Sequence, residues 1–385
     1  MKLRDIPAVN QLLGPDKQPP TTLQLEFPPP NKALLLGLRF SNLAVLLILV
    51  TYFAIFAQGF ATVITFTNIL NAVAAYLLVA LGETFVLIGG GIDLSVGSML
   101  SLGGVAAASY MSGSYSGHGS GLLVTIGGVV VGAGLGLVGG VFNGAAISYL
   151  KLNPLIVTLG TYGVFLGGAD LISNGVPITN LPPASFTLGN GTVFHVPYIA
   201  LIALGFAATL AFVAKNTRFG RYTFAVGANR ESVRRAGVNL NVHSMMLYGL
   251  AGMLAGLAGM LNASQFAAAS SAAGANVLLV AIAAVVIGGT PITGGEGKIW
   301  GTVIGALIYT LLQNGFVLMN KSSFWQLVII GFLIIGAVYV DEYQRKLRIM
   351  TASGAELTGV APPDLDAGPR PPTTDGSASG PSGSV

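Results

Sequence analysis

Two acidic residues lie where an apolar chain is not expected to carry charge. Glu83 falls near the centre of the apolar stretch 69–88, and Asp93 follows in the segment GGGIDLSVG (residues 89–97). A charged side chain at the centre of a bilayer costs about 3 kcal/mol on insertion scales, so it is a functional candidate by default. Glu83 could bind a proton or line a path for a hydroxyl-rich solute. The alternative is a protonated side chain that is hydrogen-bonded to a neighbouring helix.

The segment 89–97 predicts a broken helix. Gly89 and Gly90 begin a run of three glycines, which permit unusual backbone angles, where a plain hairpin would suffice. Broken helices at membrane depth are tolerated where they face protein or a water-filled cavity. Asp93 and Ser95 are therefore candidates for a translocation pathway. Capping of the next helix through their side-chain oxygens is an equally open interpretation.

A second break is predicted near 288–298, in the segment GGTPITGGEGK, where Thr290 and Pro291 are further pathway candidates. The sequence VIGG at 286–289 is similar to VLIGG at 86–90, which hints at an internal duplication of the kind that transporters show. The second segment resembles a phosphate loop in its letters only. Its first glycine is misplaced, and Ile299 stands where Ser or Thr must bind magnesium, so we expect no ATP site.

Other chemistry finds little support in the sequence. The glycine pattern at 134–139 lies inside an apolar helix rather than between a strand and a helix, so it is no dinucleotide fingerprint. His118, His195 and His243 are predicted to lie in loops on different sides of the membrane, as solvated side chains without a shared metal site. The chain has no cysteine, which excludes disulfides, zinc thiolates and iron–sulfur clusters. We expect no catalytic residue, no metal and no cofactor.

Composition decides the fold class. The chain has 385 residues, of which 53% are hydrophobic and only 8% charged, against about 25% charged in soluble domains. A membrane-spanning helix needs about 20 apolar residues. The sequence predicts an all-α polytopic membrane protein with about ten such stretches: 40–59, 69–88, 94–112, 122–148, 155–173, 197–214, 244–262, 275–290, 299–319 and 323–340.

Charge placement predicts the orientation and the domain limits. With both termini in the cytoplasm and ten crossings, Lys321 is the one cation that falls outside, as the positive-inside rule favours. We expect a cytoplasmic polar segment at 1–39, in which no cleaved signal peptide is expected, and a transmembrane domain at 40–340. A cytoplasmic tail at 341–385 should be disordered from about 351, because it is rich in Pro, Gly and Ser. The longest external loop is 174–196. The net charge of +4 serves orientation, so no nucleic acid is expected as a partner.

A stripe of glycines marks the fourth stretch. Glycine recurs at 128, 132, 136, 140 and 144, and again at 252 and 256 in the seventh stretch. Small residues four apart let membrane helices approach closely. We expect tight packing within the chain, with a dimer interface or a sliding surface as the alternatives.

A polar island at 215–243 interrupts the apolar pattern with six Lys or Arg residues. Asn229 can cap a short helix, Glu231 suits its first turn, and Gly237 can end it after about two turns. Val233, Ala236 and Leu240 then point to one face, and Arg230, Arg234 and Arg235 elsewhere. The island predicts a docking helix for a cytoplasmic partner. An ordinary basic loop that binds anionic lipid is the alternative.

Four separated segments, in order, resemble the permease subunits of ribose-type ABC importers, the second class of carbohydrate-uptake transporters. They are GGGIDLSVG (89–97), NPLIVTLGT (153–161), GRYTFAVGAN (220–229) leading to Gly237, and IGGTPITGG (287–295). The resemblance covers roughly residues 40 to 340. It implies that residues 231–237 form the coupling helix that is seated in the ATPase, although Ser232 and Val233 replace two alanines of the family pattern. The implied coupling residues are Gly227, Asn229, Arg230, Glu231, Val233, Arg234 and Gly237.

The resemblance also implies the partners. They are cytoplasmic ABC ATPase subunits, an extracytoplasmic sugar-binding protein and a second permease chain, as a homodimer, in the bacterial plasma (inner) membrane. The substrate would be a monosaccharide or related polyol. The competing hypothesis is a proton-coupled secondary transporter that uses Glu83 and Asp93. An intramembrane enzyme would need a nucleophile with a base or a metal cluster, and no such constellation is visible.

Overall fold

The computed structural model describes residues 41–322, and beyond them residues 324, 325, 328, 329, 331, 332, 335, 336 and 339. The predicted N-terminal segment 1–39, the tail 341–385 and half of the stretch 323–340 lie outside the described residues.

The described residues form twelve α-helices, one 3-10 turn and one two-stranded hairpin. In chain order they are α1 (Ser41–Phe56), α2 (Val63–Ile88), α3 (Val96–Ser114), α4 (Leu122–Tyr149), α5 (Pro154–Ser173), α6 (Pro183–Asn190), β1 (Thr192–Val193), β2 (Val196–Pro197), α7 (Tyr198–Asn216), α8 (Arg218–Ala228), α9 (Arg230–Arg235), α10 (Leu240–Phe266), the 3-10 turn (Ser271–Gly274), α11 (Val277–Ile287) and α12 (Ile299–Leu318).

Within the described residues, six helices are long and apolar enough to cross a membrane: α2, α4, α5, α7, α10 and α12. The stretch predicted over 275–290 contains only α11, which has 11 residues. At 1.5 Å per residue α11 is about 16 Å long, well short of the roughly 30 Å hydrocarbon core. The 3-10 turn before α11 and the second break after it mark the two ends of this short helix.

Helix α10 lies at the centre of the bundle. Of the 18 residues that form its apolar stretch, 78% are buried, compared with 22% in the corresponding stretch of α5. The predicted glycine stripe explains this packing, because it faces α10 within the same chain. A Cβ added at Gly132 would lie 2.9 Å from the carbonyl oxygen of Gly256, and one at Gly144 would lie 2.5 Å from the Cα of Met245. The expectation of packing within the chain is confirmed.

The helix starts follow local sequence rules. Asn153 caps α5, since its Oδ1 accepts the N–H of Leu155 at 2.9 Å, and Pro154 occupies the first turn, where its missing N–H costs nothing. The long loop after α5 is folded rather than open. It contains α6 and the antiparallel hairpin β1–β2, and Ile178 exchanges two backbone hydrogen bonds of 2.9 Å with Ala269, beyond α10.

Candidate translocation and coupling site

Two broken helices end in the same backbone motif. After α2, Gly90 donates its N–H to Leu87 O (2.8 Å) and Gly91 to Val86 O (2.9 Å). After α11, Gly289 donates to Val286 O (2.9 Å) and Thr290 to Val285 O (3.1 Å). This pair of bonds is a Schellman ending. It places one residue in the left-handed region, where glycine has no Cβ penalty. The φ angles there are +77° at Gly90 and +85° at Gly289.

The two breaks meet at a backbone junction, which we call the glycine junction: residues 88–90, 294–295 and 227–228. Gly295 donates its N–H to the carbonyl oxygen of Ile88 at 2.8 Å. A Cβ added at Gly294 would lie 2.8 Å from the Cα of Gly90. A Cβ added at Gly227, at the end of α8, would overlap both Ile88 O and the N of Gly295. No side chain fits between these segments, so the backbone of the polar island touches both breaks directly.

A buried polar network fixes the first break. The backbone N–H of Asp93 donates to Oε1 of Glu83 at 3.1 Å, and Oδ1 of Asp93 accepts the N–H (2.9 Å) and the hydroxyl (2.6 Å) of Ser95. Nδ2 of Asn143, on α4, donates to Oγ of Ser95 at 2.9 Å. All four residues are buried. The loop is therefore held by Glu83 of α2 and by Asn143 of α4, which lies 48 residues beyond Ser95 in the sequence.

The network refines the two interpretations of the acidic residues. Asp93 does accept a backbone N–H next to the start of α3, whereas Ser95, the cap residue itself, makes no side-chain capping bond. Glu83 is bonded to the break that follows its own helix rather than to a neighbouring helix. Its Oε2 and Oδ1 of Asn143 have no hydrogen-bond partner among the described residues. In a buried site such acceptors favour contact with water or a hydroxylated solute.

The second break is less polar. The Thr290 side chain is buried and its Oγ1 has no hydrogen-bond partner among the described residues, while Pro291 is partly exposed. Just behind the break, the hydroxyls of Thr84 and Thr302 lie 2.7 Å apart and join α2 to α12. Neither Asn143 nor this threonine pair was predicted from the sequence. Asn143 carried a signal, since it is an amide inside a glycine-rich apolar helix.

The predicted docking helix is α9, and its ends are as expected. Oδ1 of Asn229 accepts the N–H of Ser232 at 3.0 Å, and Gly237 has a φ of +82°. Oε1 of Glu231 accepts from Arg234 (2.8 Å) and Arg235 (3.2 Å). The helix therefore presents a charged, exposed surface.

The electrostatics of α9 keep that surface charged. The hydrogen bond from Arg234, and next that from Arg235, lower the pKa of the Glu231 carboxyl. A lowered pKa means that the ionised pair persists through the neutral range and is lost only as the pH falls into the acidic range.

Two expectations about the island are wrong, and it holds a further helix that was not predicted. Of the predicted apolar face only Val233 is buried, because Ala236 already lies beyond the helix end and Leu240 begins α10. The island also contains α8, an 11-residue helix. Finally, His243 is no solvated loop residue: it lies in the first turn of α10, buried, with its ring centroid 5.3 Å from that of Phe219. His118 and His195 are exposed, as expected.

The site has no features of a metal centre. No group of three or more His, Cys, Asp or Glu side chains converges anywhere in the part of the chain that the structure describes. Glu83 and Asp93 form a pair held by backbone and hydroxyl donors. The arrangement can fix a loop and offer oxygen acceptors to a polar solute.

Comparison with known proteins gives a consistent result. Residues 65–338 match the family described as branched-chain amino acid transport system, permease component. The D-allose transport system permease of Escherichia coli K12 is 33% identical over 304 residues, covering 79% of this chain and 91% of the relative. The ribose import permease of Bacillus subtilis 168 is 38% identical over 298 residues (77% and 90%). A probable ABC transporter permease of Sinorhizobium fredii is 36% identical over 284 residues (74% and 83%). No solved structure matches the chain.

The fold, the two breaks and these relatives define a permease component of an ABC transporter. Within that class the chain belongs to the ribose-type sugar-importer permeases, as the four motifs implied. It is a multi-pass protein of the bacterial inner membrane.

The network around Asp93 makes a stability prediction. Asp93→Ala strands the N–H and the hydroxyl of Ser95 in a buried site, which costs about 1–3 kcal/mol per unsatisfied group. Asp93→Asn keeps an acceptor oxygen and should cost clearly less. Thermal unfolding of the purified chain in detergent measures both. Equal midpoints for the Ala and Asn variants would show that the Asp93–Ser95 bonds do not hold the break.

Proposed function

We propose that this chain forms the translocation pathway for a monosaccharide or related polyol in an ATP-driven importer. The names of the relatives, which specify D-allose and ribose, support the substrate class. Neither the family nor these relatives favour a proton-coupled carrier. The observation that carries the mechanism is the glycine junction, where the polar island contacts both broken helices.

The proposed arrangement has ten crossings with both termini in the cytoplasm. The proposed transmembrane domain spans residues 40–340, and the proposed cytoplasmic segments 1–39 and 341–385 lie outside the described residues. The junction supports this orientation: residues 88–90, 227–228 and 294–295 lie together, as expected if all three face the cytoplasmic side. The hairpin and α6 would then form the extracytoplasmic surface that receives the binding protein.

The coupling loop 215–243 docks the ATPase. Val233 seats α9 on the permease, because it is buried while its neighbours in the helix are exposed. The exposed side carries Arg230, Glu231, Arg234 and Arg235, whose alternating charges can pair with a cleft of the partner. Asn229 and Gly237 set the length of the docking helix.

Coupling passes from α9 through the end of α8 to the breaks. Gly227 is the contact: its backbone lies against Ile88 O and Gly295 N. A displacement of α9 by the ATPase therefore moves the ends of α2 and α11 together, which shifts a two-state bundle between its inward and outward forms. Gly89 and Gly90 set the course of the backbone in the first break, and Thr290 and Pro291 set its course in the second.

The pathway is lined near its cytoplasmic end by the polar groups of the breaks. Glu83, Asp93 and Ser95 supply oxygen atoms there, and the free acceptor on Glu83 suits a solute with hydroxyl donors. The chain has no ATP site of its own in this proposal, so hydrolysis belongs to partner ATPase subunits. A second copy of the chain completes the pathway as a homodimer.

Charge reversal on α9 tests the docking. Glu231→Lys removes the anchor for Arg234 and Arg235 and changes the sign of the docking surface, so co-purification of the ATPase should fall at least tenfold. Membrane insertion should be unchanged, because α9 is an exposed cytoplasmic helix. Affinity purification of the complex from membranes measures the ATPase recovered per permease.

A charge swap separates docking from helix stability. Glu231→Arg combined with Arg234→Glu restores an ion pair within α9 but exchanges the positions of the charges. We expect no recovery of ATPase binding. Full recovery would mean that the pair only stabilises the helix, and normal co-purification by Glu231→Lys itself would contradict the docking role.

A methyl group at the junction tests the coupling and the function together. Gly227→Ala should leave ATPase binding intact yet reduce ATP-driven sugar uptake at least tenfold in vesicles that contain permease, ATPase and binding protein. Gly205→Ala is the matched control, since a Cβ there meets nothing within 4 Å. Normal uptake by Gly227→Ala would contradict the coupling route. Accumulation by the wild-type permease without any ATPase would contradict the proposed function.

A further inference from the structure

A second polar region lies apart from the glycine junction. A cavity of about 270 Å³ opens between α3, α5 and the 3-10 turn. Its volume equals that of about nine water molecules at about 30 Å³ each, which is space for a monosaccharide. Its polar lining comes from three segments that are far apart in the sequence: Ser98, Ser101, Tyr162, Asp170, Ser271 and the backbone at Gly274.

Asp170 is an ionisable residue on the exposed side of α5. It lies in the last turn of an apolar helix and is exposed. Ionisable residues within spanning helices face the bundle interior or a water-filled cavity almost without exception. Gly163 and Gly167 lie on the same face at helical spacing, and a Cβ at either meets nothing within 4 Å. The space in front of Asp170 is therefore open along two turns.

The cavity floor offers both kinds of hydrogen-bonding group. Ser98 donates its only hydroxyl proton to Ser95 O (2.9 Å), so its Oγ remains an acceptor. Ser101 accepts the N–H of Gly274 (2.9 Å), so its own proton remains available to a ligand. Asp170 adds a carboxylate acceptor, and Tyr162 adds a hydroxyl and an aromatic face. A sugar hydroxyl is both donor and acceptor and matches this set.

The same lining disfavours an amino acid, although the family description names one. The carboxylate of an amino acid would need a cationic partner, and none of the described residues that line the cavity is Lys, Arg or His. Asp170 would repel that carboxylate. A neutral polyhydroxylated ring meets no such penalty.

The cavity is connected to the first break. Ser98 is bonded to Ser95, whose N–H and hydroxyl are bonded to Asp93, which is bonded in turn to Glu83. Gly97, at the end of the break, also lies against the 3-10 turn, where an added Cβ would be 2.7 Å from Gly274 O. A solute in the cavity therefore contacts the elements that the coupling loop moves.

We propose that this cavity is a receiving site for a neutral monosaccharide or polyol within the permease, with Asp170 and Tyr162 as its main binding side chains. It rests on the proposed function for its biological role. Its α5 lining runs from Tyr162 in the middle of the helix to Asp170 near the loop 174–196, so we expect the solute to enter from the extracytoplasmic side. We expect the site to bind the solute weakly, because a permease must also release the solute.

The absence of cysteine makes a direct binding test possible. Ser271→Cys, at the rim of the cavity, reacts with a membrane-impermeant maleimide in the purified chain. Ribose or D-allose should slow this reaction in a saturable manner, whereas leucine should not. Ser116→Cys, in an exposed loop, is the labelling control and should react at the same rate with or without sugar.

Second-site variants then test the two side chains in the Ser271→Cys background. Asp170→Asn should raise the ribose concentration for half protection about tenfold, as for a weakened hydrogen bond to a charged group. Tyr162→Ala should raise it similarly and Tyr162→Phe less, while Tyr149→Phe, outside the cavity, should have no effect. Asp170→Leu removes both side-chain oxygens and should weaken protection further. If Asp170→Leu fails to fold, Asp170→Asn still tests the site.

The outcomes separate this inference from the proposed function. If neither sugar protects Ser271→Cys, or if the Asp170 and Tyr162 variants protect as the parent does, the site is contradicted even where the complete importer transports sugar. If leucine protects and the sugars do not, the assigned ligand class is wrong. Protection that depends on Asp170 supports the site even if the chain recruits no ATPase, an outcome that would defeat the proposed function alone.

Discussion

The structure depends most on the contact of three backbone segments at the glycine junction. The peptide groups of Ile88, Gly227 and Gly295 meet with no side chain between them, and a 2.8 Å hydrogen bond joins the first and the last. Because the contact is between backbones, it cannot be adjusted by a rotamer change. The end of α8 therefore lies directly against the end of α2 and against the loop between α11 and α12.

Other helices of the bundle hold the first break, which is part of this junction, in place. The glycine face of α4 lets α10 approach to backbone contact, which places Asn143 within 2.9 Å of Ser95. Asn143, Ser95, Asp93 and Glu83 then form a continuous set of hydrogen bonds that fixes the loop. Buried networks of this kind are rigid when they are fully satisfied, whereas Oε2 of Glu83 has no hydrogen-bond partner among the described residues. The same set reaches the cavity through Ser98.

The sequence predicted what depends on local chemistry. The two glycine breaks, the cap at Asn229 and the stop at Gly237 follow from backbone preferences of single residues, and the glycine stripe follows from helical spacing. Long-range packing was not predictable in this way. His243 sits in a polar stretch, yet Phe219 covers its ring. The surroundings of Asp170 could not be predicted, because the cavity that it lines is also formed by α3 and the 3-10 turn, which are far away in the sequence.

One distance measurement tests the central claim that the coupling helix and the breaks move as one body. Spin labels on Ser232→Cys in α9, Glu296→Cys in the second break and Ser116→Cys in the loop between α3 and α4 are compared pairwise in the cysteine-free chain, with one labelled copy per complex. On ATP binding by the assembled importer, the 232–296 distance should stay constant while the 232–116 and 296–116 distances change together. A change in 232–116 with an unchanged 296–116 distance would contradict the account.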